Sequence, residues 1–269
     1  MKTFRLPTLA LLGALLGPAL IAPPAAASTG ESMSAEQILD KALEAGAIGF
    51  SRGTANLDML IKDAKGNSKQ RTMAVKAMTG DDNLLKIMLK FTRPAEVAGM
   101  GFLVIQNKDA LADQFIYMPA ARVTKRVAAG QASGSLFGSD FAYVDLMPLN
   151  PTEREAAKMT RLDDAKVAGR RAHVISTTID VVGSPYSKLI TYVDAQHLVP
   201  LRIEFFDPDG KPLKTLKVKA LKKVEKRLIP TKLSMTNTQR GTETIVQVRD
   251  IKPDAPLSSS DFTEEALQR

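Results

Sequence analysis

Leu201-Arg202-Ile203-Glu204-Phe205-Phe206-Asp207-Pro208-Asp209-Gly210-Lys211-Pro212-Leu213-Lys214-Thr215-Leu216 spells a strand, a turn and a returning strand. In Asp207-Pro208-Asp209-Gly210 the proline pre-sets the turn, and the glycine takes a positive φ without a steric penalty. Working outward, Tyr186–Val193 and Ala172–Ile179 precede this hairpin, and Leu213–Leu221, Leu228–Thr236 and Glu243–Val248 follow it. Toward the N-terminus, Leu57, Met59 and Ile61 alternate with other residues, Gly66-Asn67 turns the chain, and Thr72–Thr79 returns. Leu85, Ile87, Leu89 and Phe91 then alternate with Lys86, Met88 and Lys90, the period of a half-buried strand. About ten or eleven strands on short turns predict one large antiparallel sheet, curved or partly closed.

Helical signals are few. Ser34 and Gln37 form a capping box ahead of Ile38, Leu39, Ala42 and Leu43, which share one face, and Gly46 and Gly49 close the helix. Ser258–Asp261 is placed to cap a last short helix over Thr263–Leu267. Between them, Ala128 to Asp145 sets Gly130, Gly134 and Gly138 among serines, yet carries Leu136, Phe137, Phe141 and Tyr143. A glycine- and serine-rich segment with large apolar side chains predicts a lid lying over the sheet, with a short helix near Ser139–Leu146.

At the N-terminus, Lys2 and Arg5 precede an apolar run from Leu9 to Ala22, and Ala25-Ala26-Ala27 offers a small-residue cleavage site. These features predict a secretory signal over residues 1–27 and a single domain over residues 28–269 that works in the periplasm. There is no cysteine, which excludes lipid attachment at a cleavage-site cysteine, disulfides and thiolate metal sites. The net charge is +8, and removing Lys2 and Arg5 leaves six. That excess suits anionic headgroups or an acidic partner, and nucleic acid is not expected.

Catalytic patterns are nearly absent. His173 and His197 lack metal-ligand spacing, and His173 reads as a hydrogen-bonded structural histidine. No nucleophile elbow, phosphate-binding loop or zinc-protease motif is present. The acidic pairs Asp81-Asp82, Glu153/Glu155 and Asp163-Asp164 read as solvated turns. The chain is therefore expected to be no enzyme and to need no cofactor or metal. The basic run Lys214, Lys217, Lys219, Lys222, Lys223, Lys226 and Arg227 reads as a solvated strand face, with Lys217, Lys219 and Lys223 as candidates for partner or membrane docking. A curved sheet under few helices leaves two readings of its apolar side, a ligand cavity or a filled core.

Several segments carry a resemblance. Phe91-Thr92-Arg93-Pro94 with Gly99, Gly101 and Leu103, then Asp113-Gln114-Phe115-Ile116-Tyr117-Met118-Pro119-Ala120, and above all Gly138-Ser139-Asp140-Phe141-Ala142-Tyr143-Val144-Asp145, resemble motifs of the outer-membrane lipoprotein-sorting protein family, the LolA-like carriers. Phe206–Gly210, Ile229-Pro230-Thr231, Met235-Thr236-Asn237 and Phe262 with Leu267 extend the likeness over nearly the whole exported chain. Phe115 stands where the family usually has tryptophan, so an indole N–H donor is missing.

The resemblance implies an open, strongly curved antiparallel half-barrel whose concave face is covered by short helices and a lid. It implies a lipid or lipidated protein as cargo, transient membrane contact, and association with an inner-membrane exporter of the resistance-nodulation-division (RND) type. On this basis Phe115, Tyr117, Phe137, Phe141 and Tyr143 are expected to line the cavity or its lid, with Phe91 and Leu103 beneath. Asp140 and Asp145 are expected to anchor the lid, with Arg93 a candidate partner. The same fold also suits a non-enzymatic adaptor or sensor that binds a protein and carries nothing.

Overall fold

Strand alternation in this chain produces a sheet with two distinct faces, and each face has its own covering. A computed structural model describes residues 33–44, 51–131, 133–146, 149, 151–180 and 184–269. The expected signal segment, Gly46 and Gly49 lie outside the described residues. Residues 33–269 cluster as one unit.

Thirteen strands form one antiparallel sheet among the described residues. They are β1 (Arg52–Lys62), β2 (Ser68–Thr79), β3 (Leu85–Arg93), β4 (Gly101–Ile105), β5 (Asp113–Met118), β6 (Val123–Arg126), β7 (Lys158–Val167), β8 (Arg170–Thr178), β9 (Lys188–Asp194), β10 (Pro200–Phe206), β11 (Pro212–Val224), β12 (Arg227–Asn237) and β13 (Thr242–Pro253). The spatial order is β6-β5-β4-β3-β2-β1-β13-β12-β11-β10-β9-β8-β7. Two meanders are thus joined where β1 pairs with β13, and β6 and β7 are the free edges. The sheet is an open half-barrel, as the family resemblance implies.

The count exceeds the expected ten or eleven. β6 is only four residues long, and β7 carries Asp163 and Asp164 with little apolar alternation, because an edge strand half in water needs none. Asp163-Asp164 is accordingly no turn. It sits where the β7–β8 register shifts between Leu162 and Ala165, a bulge that aims Asp164 at Arg161, Arg171 and His173.

This topology dictates the lid. β6 and β7 are consecutive in sequence but lie at opposite edges, so residues 127–157 must pass from one edge of the half-barrel to the other. Leu136, Phe137, Phe141, Tyr143 and Leu149 of this segment lie on the inner face. Leu57, Val75, Leu89, Phe91, Phe102 and Val246 of that face are buried with Leu136, and Phe137, Phe141 and Tyr143 pack against them. Farther along, Phe141, Val144 and Leu149 pack with Tyr186, Phe205 and Met235. Helix α1 (Ala35–Glu44) covers the β7–β9 end of the same face through Ala35, Ile38 and Ala42 on Ile175 and Val193. Its capping box is formed as expected: Gln37 N donates to Ser34 Oγ at 3.2 Å, and Ser34 N donates to Gln37 Oε1 at 2.9 Å. Helix α2 (Pro151–Ala156) pairs with α1 through Arg154 and Asp40.

The outer face is covered differently. Met78, Met88 and Leu103 are buried under Leu257, Phe262 and Leu267 of a C-terminal strap that ends in helix α3 (Glu264–Gln268). Ser258 boxes the preceding 3-10 turn, and Thr263 caps α3 by accepting from Ala266 N. The strap seats closely: a Cβ on Gly101 would lie 2.4 Å from Leu267 Cδ1.

Candidate functional site

The crossing segment folds on itself before it meets the sheet. Ser135 bridges Ala142, and Leu136 N donates to Phe141 O at 2.7 Å. Ser139 Oγ donates to Leu136 O at 2.7 Å, and Ser135 Oγ donates to Ser139 O at 2.5 Å. At the tip, Phe137 holds φ 52° and ψ 34°, followed by Gly138 at φ 80°. A bulky aromatic residue in the left-handed region is strained, at a cost of about 1–3 kcal/mol, and is retained only where its surroundings require it.

Its ring shows what is gained. Phe137 meets Phe91 edge-on with centroids 4.6 Å apart and Phe102 at 6.0 Å, and Tyr143 tilts over Phe102 at 5.2 Å. Each such pair contributes about 0.5–1.5 kcal/mol beyond area burial. The tip therefore inserts an aromatic plug between inner-face rings. Beside it, toward the β5–β6 edge, a cleft of about 450 Å³ is lined by Ile116, Val127, Gly130, Gln131, Gly134 and Tyr143.

The base of the lid is held by polar groups withdrawn from water. Asp140 accepts from Thr244 Oγ1 at 2.7 Å and from Thr242 Oγ1, while its own N–H donates to Thr244 Oγ1 at 2.9 Å. Asp145 accepts from Lys214 Nζ at 2.5 Å, Tyr186 Oη at 2.5 Å and Ala142 N at 2.7 Å. Lys214 also donates to the Asp140 carbonyl at 3.2 Å. Its ammonium stands 5.2 Å from the Tyr186 ring and 5.1 Å from the Phe205 ring. The Lys214 and Asp145 side chains are only 4% and 3% exposed, so neither charge can be satisfied by water if the other is removed. Burial and the Asp145 charge both push the Tyr186 hydroxyl pKa up, which keeps it a proton donor.

The sequence-predicted residues divide between two faces. Phe91, Phe137, Phe141 and Tyr143 come together on the inner side, and Asp140 and Asp145 tie the lid to the sheet there. Leu103, Phe115 and Tyr117 do not join them. In the β4–β5 ladder Leu103 pairs with Phe115 and Gly101 with Tyr117, and these residues pack under the C-terminal strap. The expectation that Leu103 lies beneath the lid, with Phe115 and Tyr117 in its cavity, is corrected by register: Leu89 opposes Phe102, so Phe102 and Val104 take the inner face.

Asp145 pairs with Lys214 rather than Arg93, and the side chain of Asp140 is held by threonines. Lys214 thereby leaves the solvated basic run. The signal for this was β11 alternation, which puts Lys214, Leu216 and Val218 on one side and Lys217 on the other. Lys217, Lys219 and Lys223 are exposed, as read from the sequence. His173 is buried, with Nδ1 3.1 Å from Asp164 Oδ1. Burial alone would raise the Asp164 pKa, but hydrogen bonds from His173, Arg171 and Arg161 outweigh it and hold the group at about 2. Among the described residues no cluster of three or more His, Cys, Asp or Glu could hold a metal.

Known proteins place this architecture. A family model described as "Uncharacterized protein" matches residues 84–269. Among solved structures, a Vibrio parahaemolyticus domain assigned to outer membrane lipoprotein sorting is 30% identical, with a TM-score of 0.78 over 87% of this chain and 100% of that one. A DUF1329 family protein from Desulfovibrio piger (20% identity, TM-score 0.78, 87% and 99% covered) shares the fold. So does a LolA superfamily protein from Nitrosomonas europaea (20% identity, TM-score 0.68, 87% and 100% covered). No curated protein sequence matches the chain. The 30% identity over the full length of the Vibrio domain, together with the open half-barrel and its lid, shows that this chain belongs to the outer-membrane lipoprotein-sorting protein family.

Proposed function

We propose that this chain is a periplasmic carrier that shelters the acyl chains of a lipid or lipidated protein between the inner face of its half-barrel and the lid. The observation that carries this reading is the Phe137 tip, a strained aromatic plug mounted on a polar, buried base. Plug and cargo are chemically interchangeable, because both present apolar surface to Phe91 and Phe102. Cargo enters as the tip withdraws, while Asp140 and Asp145 keep the base of the lid in place.

No covalent step is involved. Each buried methylene contributes roughly 0.8 kcal/mol, so a chain of about 16 carbons supplies on the order of 10 kcal/mol before association costs and plug displacement. Binding that must displace an internal competitor is weaker than binding to an open site, and this keeps loading reversible. The exposed Lys217, Lys219 and Lys223 of β11 supply a basic surface for transient contact with anionic membrane or with an acidic face of an RND-type inner-membrane exporter. The same surface supports a second reading, a transporter adaptor without cargo.

Mass spectrometry of the gently purified exported chain, intact and after solvent extraction, tests the carrier. Stoichiometric lipid is expected. Absence of lipid together with no binding of added fluorescent fatty acid contradicts it. The adaptor reading instead expects salt-sensitive capture of a membrane partner that is lost on reversing the charge of Lys217, Lys219 and Lys223.

A further inference from the structure

The outer face holds a second cleft that the carrier reading does not use. In the β2–β3 ladder Ala74 opposes Lys90 and Lys76 opposes Met88, so all four side chains point away from the lid. The C-terminal strap roofs them and leaves a space of about 570 Å³. Ala74, Met88 and Ala266 make apolar walls, and Lys76, Lys90 and Arg269 bring three cations against the two carboxylates of Asp261 and Glu265. We propose that this cleft is an anion-binding site for a phosphate ester, of the kind presented by an anionic phospholipid headgroup.

The charges there do not pair off. Lys76 is taken by Asp261, with Nζ 2.8 Å from Oδ1. The Glu265 pKa is lowered by its own backbone N–H and the Thr263 hydroxyl, and less strongly by the charge of Arg269. Lys90 is partly buried, and its ammonium makes no hydrogen bond or ion pair among the described residues. Burial, and then the charge of Lys76, lower the pKa of its ammonium. An ammonium partly withdrawn from water beside a second one, while the two carboxylates of the cleft are engaged by other groups, leaves a place for an external anion. Two ammonium groups and a guanidinium around one space suit an anion with several oxygens. The volume and the Met88 and Ala266 walls leave room for an organic substituent beyond the phosphate, as a glycerol ester has. The strap is fixed from below by Leu267 on Gly101, so the cleft is formed before any ligand arrives. The site is independent of cargo in the inner cavity.

The test is NMR of the exported chain with its lysines reductively ¹³C-methylated, titrated with dihexanoylphosphatidylglycerol below its micellar concentration and, separately, with inorganic phosphate. The Lys90 and Lys76 signals are expected to move with the lipid, with affinity at least tenfold above that for phosphate. Lys90→Gln should weaken lipid binding at the cleft at least tenfold, Lys90→Arg should largely retain it, and Lys69→Gln, at an exposed lysine outside the cleft, should leave it unchanged. Equal affinity for phosphate and lipid keeps the anion site but assigns it to free phosphate. Unmoved Lys90 and Lys76 signals, or lipid binding as tight in Lys90→Gln as in the unaltered chain, overturn the proposal. Should Lys90→Gln fail to fold, the lysine signals decide. A cleft that binds while the inner face takes no acyl chain would separate this site from the carrier reading, and the reverse result would do so equally.

Discussion

The half-barrel wears two coverings, and they are built on opposite principles. The C-terminal strap lies on the outer face with its apolar residues fully engaged, its short helices capped in order, and Leu267 set against a glycine that leaves room for nothing larger. Its polar contacts, such as Lys76 with Asp261, are partly exposed and worth little individually. The lid reverses this arrangement. Its polar contacts are buried and costly to break, while its apolar tip is strained at Phe137 and flanked by glycine and serine. A covering meant to stay can be apolar throughout. On the carrier reading proposed above, a covering whose tip leaves needs a base that does not.

Severing the lid's base should give the largest effect. Lys214→Met leaves Asp145 charged, buried and short of its cation, and should destabilise the protein by about 3–5 kcal/mol in urea denaturation. Adding Asp145→Leu should recover only part of that loss, because it removes the unpaired charge but leaves the Tyr186 hydroxyl and the Ala142 N–H without their acceptor. No recovery would mean that the pair contributes more than its charges. On the strap, Leu267→Ala should cost about 2–4 kcal/mol through cavity formation above Gly101. Binding of an acyl probe to the inner face should be unaltered, and weakened probe binding would show that the two coverings are coupled.

A smaller effect sharpens the comparison at helix α1, which covers the β7–β9 end of the lid's face. Arg161 Nη1 donates to the Met33 carbonyl at 2.9 Å just ahead of α1, and Arg161 is itself held by Asp164. The Asp164 pKa lies at about 2 in the folded protein, against an ordinary value of 3.8. A depressed carboxylate pKa adds stability above the unfolded-state value, and that stability is lost as pH falls through the folded-state value. Asp164→Asn should therefore cost about 1 kcal/mol at neutral pH, allowing for solvent screening, and close to nothing near pH 2. Urea midpoints of both forms across this range check it; a constant difference would remove Asp164 ionisation as the cause.

Much of this was legible in the chain before its fold was known. The Asp207–Gly210 turn and the alternation around it announce antiparallel strands, and the apolar residues among glycines at 130–146 announce a covering segment. Face assignment was not legible. β4 is buried on both sides, so Gly-Phe-Leu-Val-Ile has no polar alternation to say whether Phe102 or Leu103 looks inward. Only pairing with β3 decides that, and pairing is a long-range property. The same limit hid Lys214, one lysine among seven basic residues at 214–227, whose burial depends on an aspartate 69 positions away. Asp140 and Asp145 stood out because carboxylates within an apolar segment need partners. Thr242, Thr244 and Tyr186 carry no such mark.

The central claim is that Phe137 occupies the place of the cargo. Titrating an acyl probe, such as a fluorescent fatty acid, against the unaltered chain and Phe137→Ala tests it by the sign of the change. A plug competes with its ligand, so removing the ring should tighten probe binding several-fold, as the binding-competent fraction rises. Weaker binding in Phe137→Ala would make the ring an ordinary contact in the wall of a cavity, and no binding by either form would contradict the carrier itself.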